Sequence, residues 1–143
     1  MSKVDTHHSD YDKKVLKWQR CRDAVAGQDA IQAAGETYLP RLSAQTDEDY
    51  NAYKMRTFFY NATWRTIAAL KGMIFRRPPV VNVPDSIRPM LDDITMSGVS
   101  FYLFAQRCTL DVLTTGRVGV LVDYPPQEVT QGITLADAQR QNL

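Results

Sequence analysis

Only two stretches of this chain have the composition of a β-strand, and proline ends both of them. Val80–Val83 is followed by Pro84, and Arg117–Tyr124 is followed by Pro125. Because proline lacks the N–H group that a strand ladder needs, the first stretch is predicted to be an edge strand. Two strands do not make a self-sufficient sheet, which needs three or more strands or a covering layer. The sequence therefore predicts an α+β fold, helix-dominated with a small sheet.

Two long segments in the first half of the chain have apolar residues at helical spacing. The first is predicted to be one helix over about residues 10–34, ended by Gly35. The second is predicted to begin at Thr46, whose hydroxyl can accept from a backbone N–H of the first turn. It is expected to run to about Lys71, with Gly72 as its stop.

The second half of the chain predicts two more helices. A short one is expected after Asp85 or Ser86, either of which could cap it. A longer one is predicted over residues 101–115, capped by Ser100 and ended by Gly116 in a left-handed conformation. Its apolar residues surround the helix on nearly all sides, which is typical of a helix at the centre of a core.

The chain divides into three predicted parts. Residues 1–9 are expected to form a flexible arm, residues 10–126 one α/β domain, and residues 127–143 a linker and the start of a truncated helix. Thr134 has the character of a helix cap, yet the sequence stops after about two turns, and isolated helices that short are marginal in water. We therefore expect either a piece of a longer protein or a chain that neighbours complete.

Composition excludes several classes of protein. The 143 residues carry a formal net charge of only +1, which disfavours a generic binder of polyanions. No window approaches the roughly 18 apolar residues of a membrane span, and no signal peptide is recognisable. Cys21 and Cys108 lie far apart and have no ligand partners nearby, so we expect reduced thiols rather than a zinc site or a redox pair.

No catalytic signature is recognisable in the sequence. It contains no G-x-S-x-G, no H-E-x-x-H, no Walker loop and no complete G-x-G-x-x-G. His7 and His8 are expected to be solvated, and the adjacent carboxylates of Asp92 and Asp93 would point in different directions on a helix. The sequence therefore predicts no catalytic residue, no metal ligand, no cofactor and no enzymatic activity.

One basic block stands out against this background. Residues 50–84 contain six Lys or Arg and no Asp or Glu, and aromatic residues are interleaved with the cations. Four of its cations are candidate contacts to DNA or to a neighbouring subunit: Arg65, Lys71, Arg76 and Arg77. Aromatic residues at helical spacing more often pack than stack on bases. Three aromatic residues of the block are therefore predicted to be packing or interface residues, namely Tyr53, Tyr60 and Trp64. The same prediction is made for Phe101 and Phe104 in the later helix.

Two longer motifs carry a resemblance. Gly72–Pro79 reads G-M-I-F-R-R-P-P, and Thr115–Pro125 reads T-G-R-V-G-V-L-V-D-Y-P. Together with Tyr38–Leu42 and Tyr50–Arg56, these segments resemble the N-terminal part of the portal-like protein family of tailed bacteriophages and prophages. The likeness extends over most of residues 10–143.

The resemblance implies a structural role. Portal proteins form a homo-oligomeric ring, commonly of twelve subunits, at one capsid vertex, where double-stranded DNA passes and where terminase, capsid and tail proteins attach. It implies a wing-like domain here, with the stem, clip and crown expected beyond Leu143, and a place in the virion, or in the host cytoplasm during assembly, without a membrane. Two alternatives remain open: a stand-alone module that binds single-stranded nucleic acid through residues 50–77, and a small adaptor domain of a mobile element.

Overall fold

The computed structural model describes residues 6–122, and within them the chain is built from helices. Two short 3-10 helices accompany five α-helices, and no residue in this range is in a strand. The α-helices, in chain order, are α1 (Ser9–Ala26), α2 (Gln28–Ala33), α3 (Asp47–Arg56), α4 (Ala62–Ile74) and α5 (Phe101–Thr115). The 3-10 helices are Gly35–Thr37 and Arg88–Leu91.

The predicted α+β fold with a small sheet is therefore wrong for the described part of the chain. Val80–Val83 lies outside any helix or strand, as does the described part of the second stretch, residues 117–122. No backbone hydrogen bond joins the two segments. Strand composition creates a sheet only where a second strand lies alongside, and the described residues bring none to either segment. The remaining residues of the second stretch and the truncated helix lie outside the described residues.

The predicted helix over residues 10–34 is wrong in one respect, because Gly27 divides it into α1 and α2. Gly27 is buried and has φ 95°, a backbone conformation that other residues rarely adopt. The side chain of Asn61 fixes this break: its amide nitrogen donates to the carbonyl oxygen of Val25 at 2.9 Å. The same side chain accepts from the backbone N–H of Trp64 at 2.8 Å and so caps α4. One residue therefore joins the end of α1 to the start of α4.

The second predicted helix is also divided, into α3 and α4. Its N-terminus is confirmed, since the Thr46 hydroxyl accepts from the backbone N–H of Asp49 at 3.2 Å. The division follows from Gln32 on α2, whose side-chain amide donates to the carbonyl oxygens of Lys54 (2.9 Å) and Thr57 (3.2 Å). Those carbonyls are the acceptors that a continuing helix would use, so the side chain competes directly with the helix ladder.

Two smaller helix predictions in this region are wrong. Gly72 does not stop α4, which continues to Ile74, because glycine inside a helix costs only about 1 kcal/mol. The next residue, Phe75, contacts Tyr102 on α5. The expected short helix after Asp85 is a single 3-10 turn, and no side chain caps it.

Helix α5 is confirmed in its boundaries but not in its environment. The Ser100 hydroxyl accepts from the backbone N–H of Leu103 at 3.4 Å, and Gly116 ends the helix with φ 76°. No residue of α5 is buried, although a central helix was predicted. The helix packs against α1 and α4, and in the described residues nothing encloses the rest of its surface.

The turn before α5 is held by one carboxylate. Asp93 accepts from the backbone N–H groups of Ser97 at 3.1 Å and Val99 at 3.3 Å. The backbone N–H of Gly98, followed by those of its neighbours, lowers the pKa of the Asp93 carboxyl below its usual range. This turn positions Ser100 to cap α5.

The core is small. Only four apolar side chains among the described residues are buried, namely Ile31, Leu39, Tyr50 and Ile67. They come from α2, the loop after the first 3-10 helix, α3 and α4. The main helix–helix contacts are those of α1 with α2, α4 and α5, and of α4 with α5. Much apolar surface is left outside the core.

Candidate functional site

The four predicted cations cluster along α4 and just after it. Arg65 is exposed, and its guanidinium carbon lies 5.0 Å from the centroid of the Tyr60 ring, while its Nη1 donates to the Tyr60 hydroxyl at 3.1 Å. Lys71 is half-buried in the last turn of α4, where a cation interacts favourably with the helix dipole. None of the four forms an ion pair within the described residues. Their positive charge is therefore not neutralised inside the fold.

Arg76 and Arg77 form an exposed corner at the end of α4, immediately before two prolines. The residue before them, Phe75, is fixed to α5: its ring meets that of Tyr102 edge-on at 5.6 Å, and its carbonyl accepts from the Tyr102 hydroxyl at 3.5 Å. The prolines restrict the backbone on the other side. We call Arg76 and Arg77 together the arginine corner.

The predicted aromatic set does not form one stripe. Tyr53 is half-buried on α3, whereas Trp64 belongs to α4 and Tyr60 precedes it, so the helix break separates them. Tyr60 and Trp64 remain 59% and 41% exposed. Phe101 and Phe104 are half-buried on α5. A packing role fits Tyr53 and the two phenylalanines, and the other two rings are available to a partner.

Tyr50, the first aromatic residue of the basic block, is part of the core. Its hydroxyl donates to the carbonyl oxygen of Leu39 at 2.9 Å, and burial raises the pKa of the phenol. Lys54 and Arg41 lie over the ring, 5.0 Å and 5.6 Å from its centroid. A ring held in this way cannot stack on a base, which weakens the alternative of a single-strand binder built on residues 50–77.

Sequence reasoning missed an exposed apolar face on α4. Leu70, Met73 and Ile74 are 38%, 65% and 55% exposed, and their spacing places them on one side of the helix. The extended segments add Val80, Leu121 and Val122, which are at least 88% exposed. The signal was present in the spacing of Leu70, Met73 and Ile74. The helix was predicted to end at about Lys71, however, so Met73 and Ile74 were not placed on it, whereas α4 continues to Ile74.

A second cluster that was missed joins α1 to the residue after the cap of α5. The guanidinium carbon of Arg117 lies 4.2 Å from the centroid of the Trp18 ring, and the Trp18 and Tyr11 rings are 5.6 Å apart. A cavity of about 410 Å³ opens beside these three residues. No spacing rule connects residues at opposite ends of the described chain, so only the fold brings them together.

The remaining reactive groups offer no assembled chemistry within residues 6–122. No three His, Cys, Asp or Glu side chains there come close enough to hold a metal ion. Cys21 is exposed and Cys108 half-buried, and both are free thiols. None of the helices in that range has the length and apolar character needed to cross a membrane.

Comparison of the chain with protein-family models, curated proteins and solved structures gives no match. The resemblance to portal proteins therefore rests on the two motifs and the shorter segments quoted above. What the arrangement offers physically is an exposed apolar helix face beside a fixed pair of arginines.

Proposed function

We propose that this chain is a structural, non-enzymatic component of a phage portal-like ring, the head-tail connector through which DNA is packaged and ejected. The observation that carries the proposal is the apolar face of α4, where Leu70, Met73 and Ile74 stay in water although the chain buries few apolar side chains in its described part. Large exposed apolar patches mark protein–protein interfaces, because association removes that surface from water. Neighbouring copies of this chain are the partners that a ring supplies.

The arginine corner gives the proposal its electrostatic part. Arg76 and Arg77 lie between α4 and a pair of prolines and form no ion pair with any residue that the structure describes. Two such charges are suited to phosphate groups or to an acidic neighbouring subunit. In a ring that surrounds double-stranded DNA, both partners are present. The terminase, capsid and tail proteins expected from the resemblance belong to the full assembly, within the virion or in the host cytoplasm during assembly.

Reversal of both charges tests this part. In the double variant Arg76→Glu/Arg77→Glu we expect weaker assembly or weaker retention of double-stranded DNA, because like charges replace attraction by repulsion. The measurement is co-sedimentation of the assembled chain with linear double-stranded DNA, at low and at high salt. Lys17→Glu/Arg20→Glu, which reverses two exposed charges on α1, is the matched control.

The two outcomes separate the possible partners. Loss of DNA with intact assembly assigns the arginine corner to phosphates, and loss of assembly assigns it to the neighbouring subunit. If the double variant assembles and retains DNA as the unchanged chain does, the proposed role of the arginine corner is contradicted.

A further inference from the structure

We propose that the cleft between α1 and the end of α5 binds a nucleoside phosphate, either free or within a single strand. We call it the Trp18–Arg117 cleft, and its lining residues are His7, His8, Asp10, Tyr11, Lys14, Trp18 and Arg117. It involves neither the apolar face of α4 nor the arginine corner. The inference therefore stands apart from the proposed role in a ring.

Aromatic rings form one wall of the cleft. Trp18 is half-buried and Tyr11 is 37% exposed, and their rings are inclined by 58° with centroids 5.6 Å apart. The ring of His7 lies 4.6 Å from that of Tyr11 and extends the wall. A volume of about 410 Å³ lies within the range typical of small-molecule sites. Because Arg117 lies over the Trp18 ring, a base would stack on the exposed Tyr11 ring or on the outer side of the guanidinium. Such stacking accepts any nucleobase, since every base has a π-face.

The charge in the cleft favours an anion. Lys14 and Arg117 form no ion pair with any described residue. Among the described lining residues, Asp10 alone has a carboxylate, which is already contacted by Lys13 at 3.4 Å and by the His8 ring at 3.8 Å. Within residues 6–122, two cations therefore lie beside an aromatic wall without a carboxylate partner.

Arg117 is placed to contribute both to base stacking and to phosphate binding. Its guanidinium carbon lies 4.2 Å from the centroid of the Trp18 ring. An arginine over a ring can also stack on a base with its outer face while its N–H groups reach a phosphate. A smaller cavity of about 230 Å³ adjoins on the other side, where Arg22 and Asp111 are both present. Because Asp111 repels anions there, the phosphate is assigned to the larger cavity, with Arg117 and Lys14.

Tryptophan fluorescence measures this binding directly. In a Trp64→Phe chain, Trp18 is the remaining tryptophan, so quenching reports on the cleft alone. Thymidine monophosphate and a short oligo(dT) are titrated separately at low salt. We expect saturable quenching: quenching by both ligands indicates a general nucleotide site, and quenching by the oligonucleotide alone indicates a single strand. Absence of saturable quenching by either ligand overturns the proposal.

Matched variants separate a built cleft from general electrostatic attraction. Arg117→Ala and Lys14→Glu are expected to weaken binding by about tenfold or more, since each loses a charge-assisted hydrogen bond to the phosphate, and hydrogen bonds to charged groups contribute at this scale. Lys17→Glu carries the same charge change on the same helix, but residue 17 does not line the cleft. We expect its affinity to stay within about twofold of the unchanged chain. An equal loss in Lys14→Glu and Lys17→Glu would contradict the proposal.

Folding is controlled in the same experiment. Lys14 and Arg117 are both exposed, so their substitution leaves the core untouched, and far-ultraviolet circular dichroism verifies the helix content. If Arg117→Ala does lose helix content, Lys14→Glu against Lys17→Glu decides the question by itself. Fluorescence quenching can be measured on monomeric and on assembled chain. Absence of quenching therefore does not test the proposed role in a ring, and absence of assembly does not test the nucleotide site.

Discussion

The apolar face of α4 makes the clearest quantitative prediction. Met73 is 65% exposed and lies beside Ile74, which is 55% exposed. Full burial of such a side chain contributes about 1.5–3 kcal/mol, so burying the exposed part of both against a neighbour contributes roughly 2–4 kcal/mol per contact. Met73→Glu removes about half of this and places a carboxylate in the contact. Desolvation of the carboxylate adds at least about 1–3 kcal/mol, which is the cost for an uncharged polar group.

The expected result is a loss of association without a loss of folding. The sum is at least about 2–5 kcal/mol per contact, which weakens association by roughly 30- to 5,000-fold or more. Sedimentation velocity detects this loss as a shift from assembled to monomeric chain. The fold is expected to persist, because Met73 is exposed and is not one of the four buried apolar side chains. Met55→Glu is the matched control, since Met55 is 80% exposed on α3.

The reasoning would be refuted by a Met73→Glu chain that assembles as the unchanged chain does. It would also be refuted if Met55→Glu lost association to the same extent. In that case an added negative charge, rather than the α4 face, would be the cause.

Two further predictions concern the folded state. In Gly27→Ala the new methyl group would lie 2.8 Å from the Asn61 amide nitrogen, and φ at this residue is 95°. We therefore expect urea unfolding to show a destabilisation of about 1–3 kcal/mol. Gly72→Ala is the control, since the space around Gly72 is open, and equal urea midpoints for the two variants would contradict the prediction. Asp93 has a lowered pKa in the folded state, so its stabilisation is present above the ordinary carboxyl pKa and lost as the pH falls through the lowered value. Asp93→Asn is therefore expected to flatten the acid limb of the melting temperature against pH, and an unchanged acid limb would count against this account.

Local signals account for what the sequence predicted well. The caps at Thr46 and Ser100 and the terminator Gly116 were correct, because each depends on one or two neighbouring residues. The divisions at Gly27 and Thr57 were not foreseen, because side chains from other helices impose them.

The candidate sites likewise differ in whether neighbouring residues alone define them. The arginine corner was recognisable because its charges and prolines are consecutive in the chain. The Trp18–Arg117 cleft was not, since its two principal residues meet only after α1 and α5 have packed. The predicted strand at Val80–Val83 was wrong for a related reason, because a sheet depends on a second strand that composition alone does not supply.

The mass of the chain in solution tests the central claim most directly. Multi-angle light scattering is measured over a range of concentrations, at low and at high salt. We predict an assembly of many subunits that persists at high salt, because burial of the α4 face is apolar and salt screens only the charges. A particle of 16.2 kDa, the mass of one chain, at every concentration and in both salts would contradict the proposal that this chain associates with copies of itself.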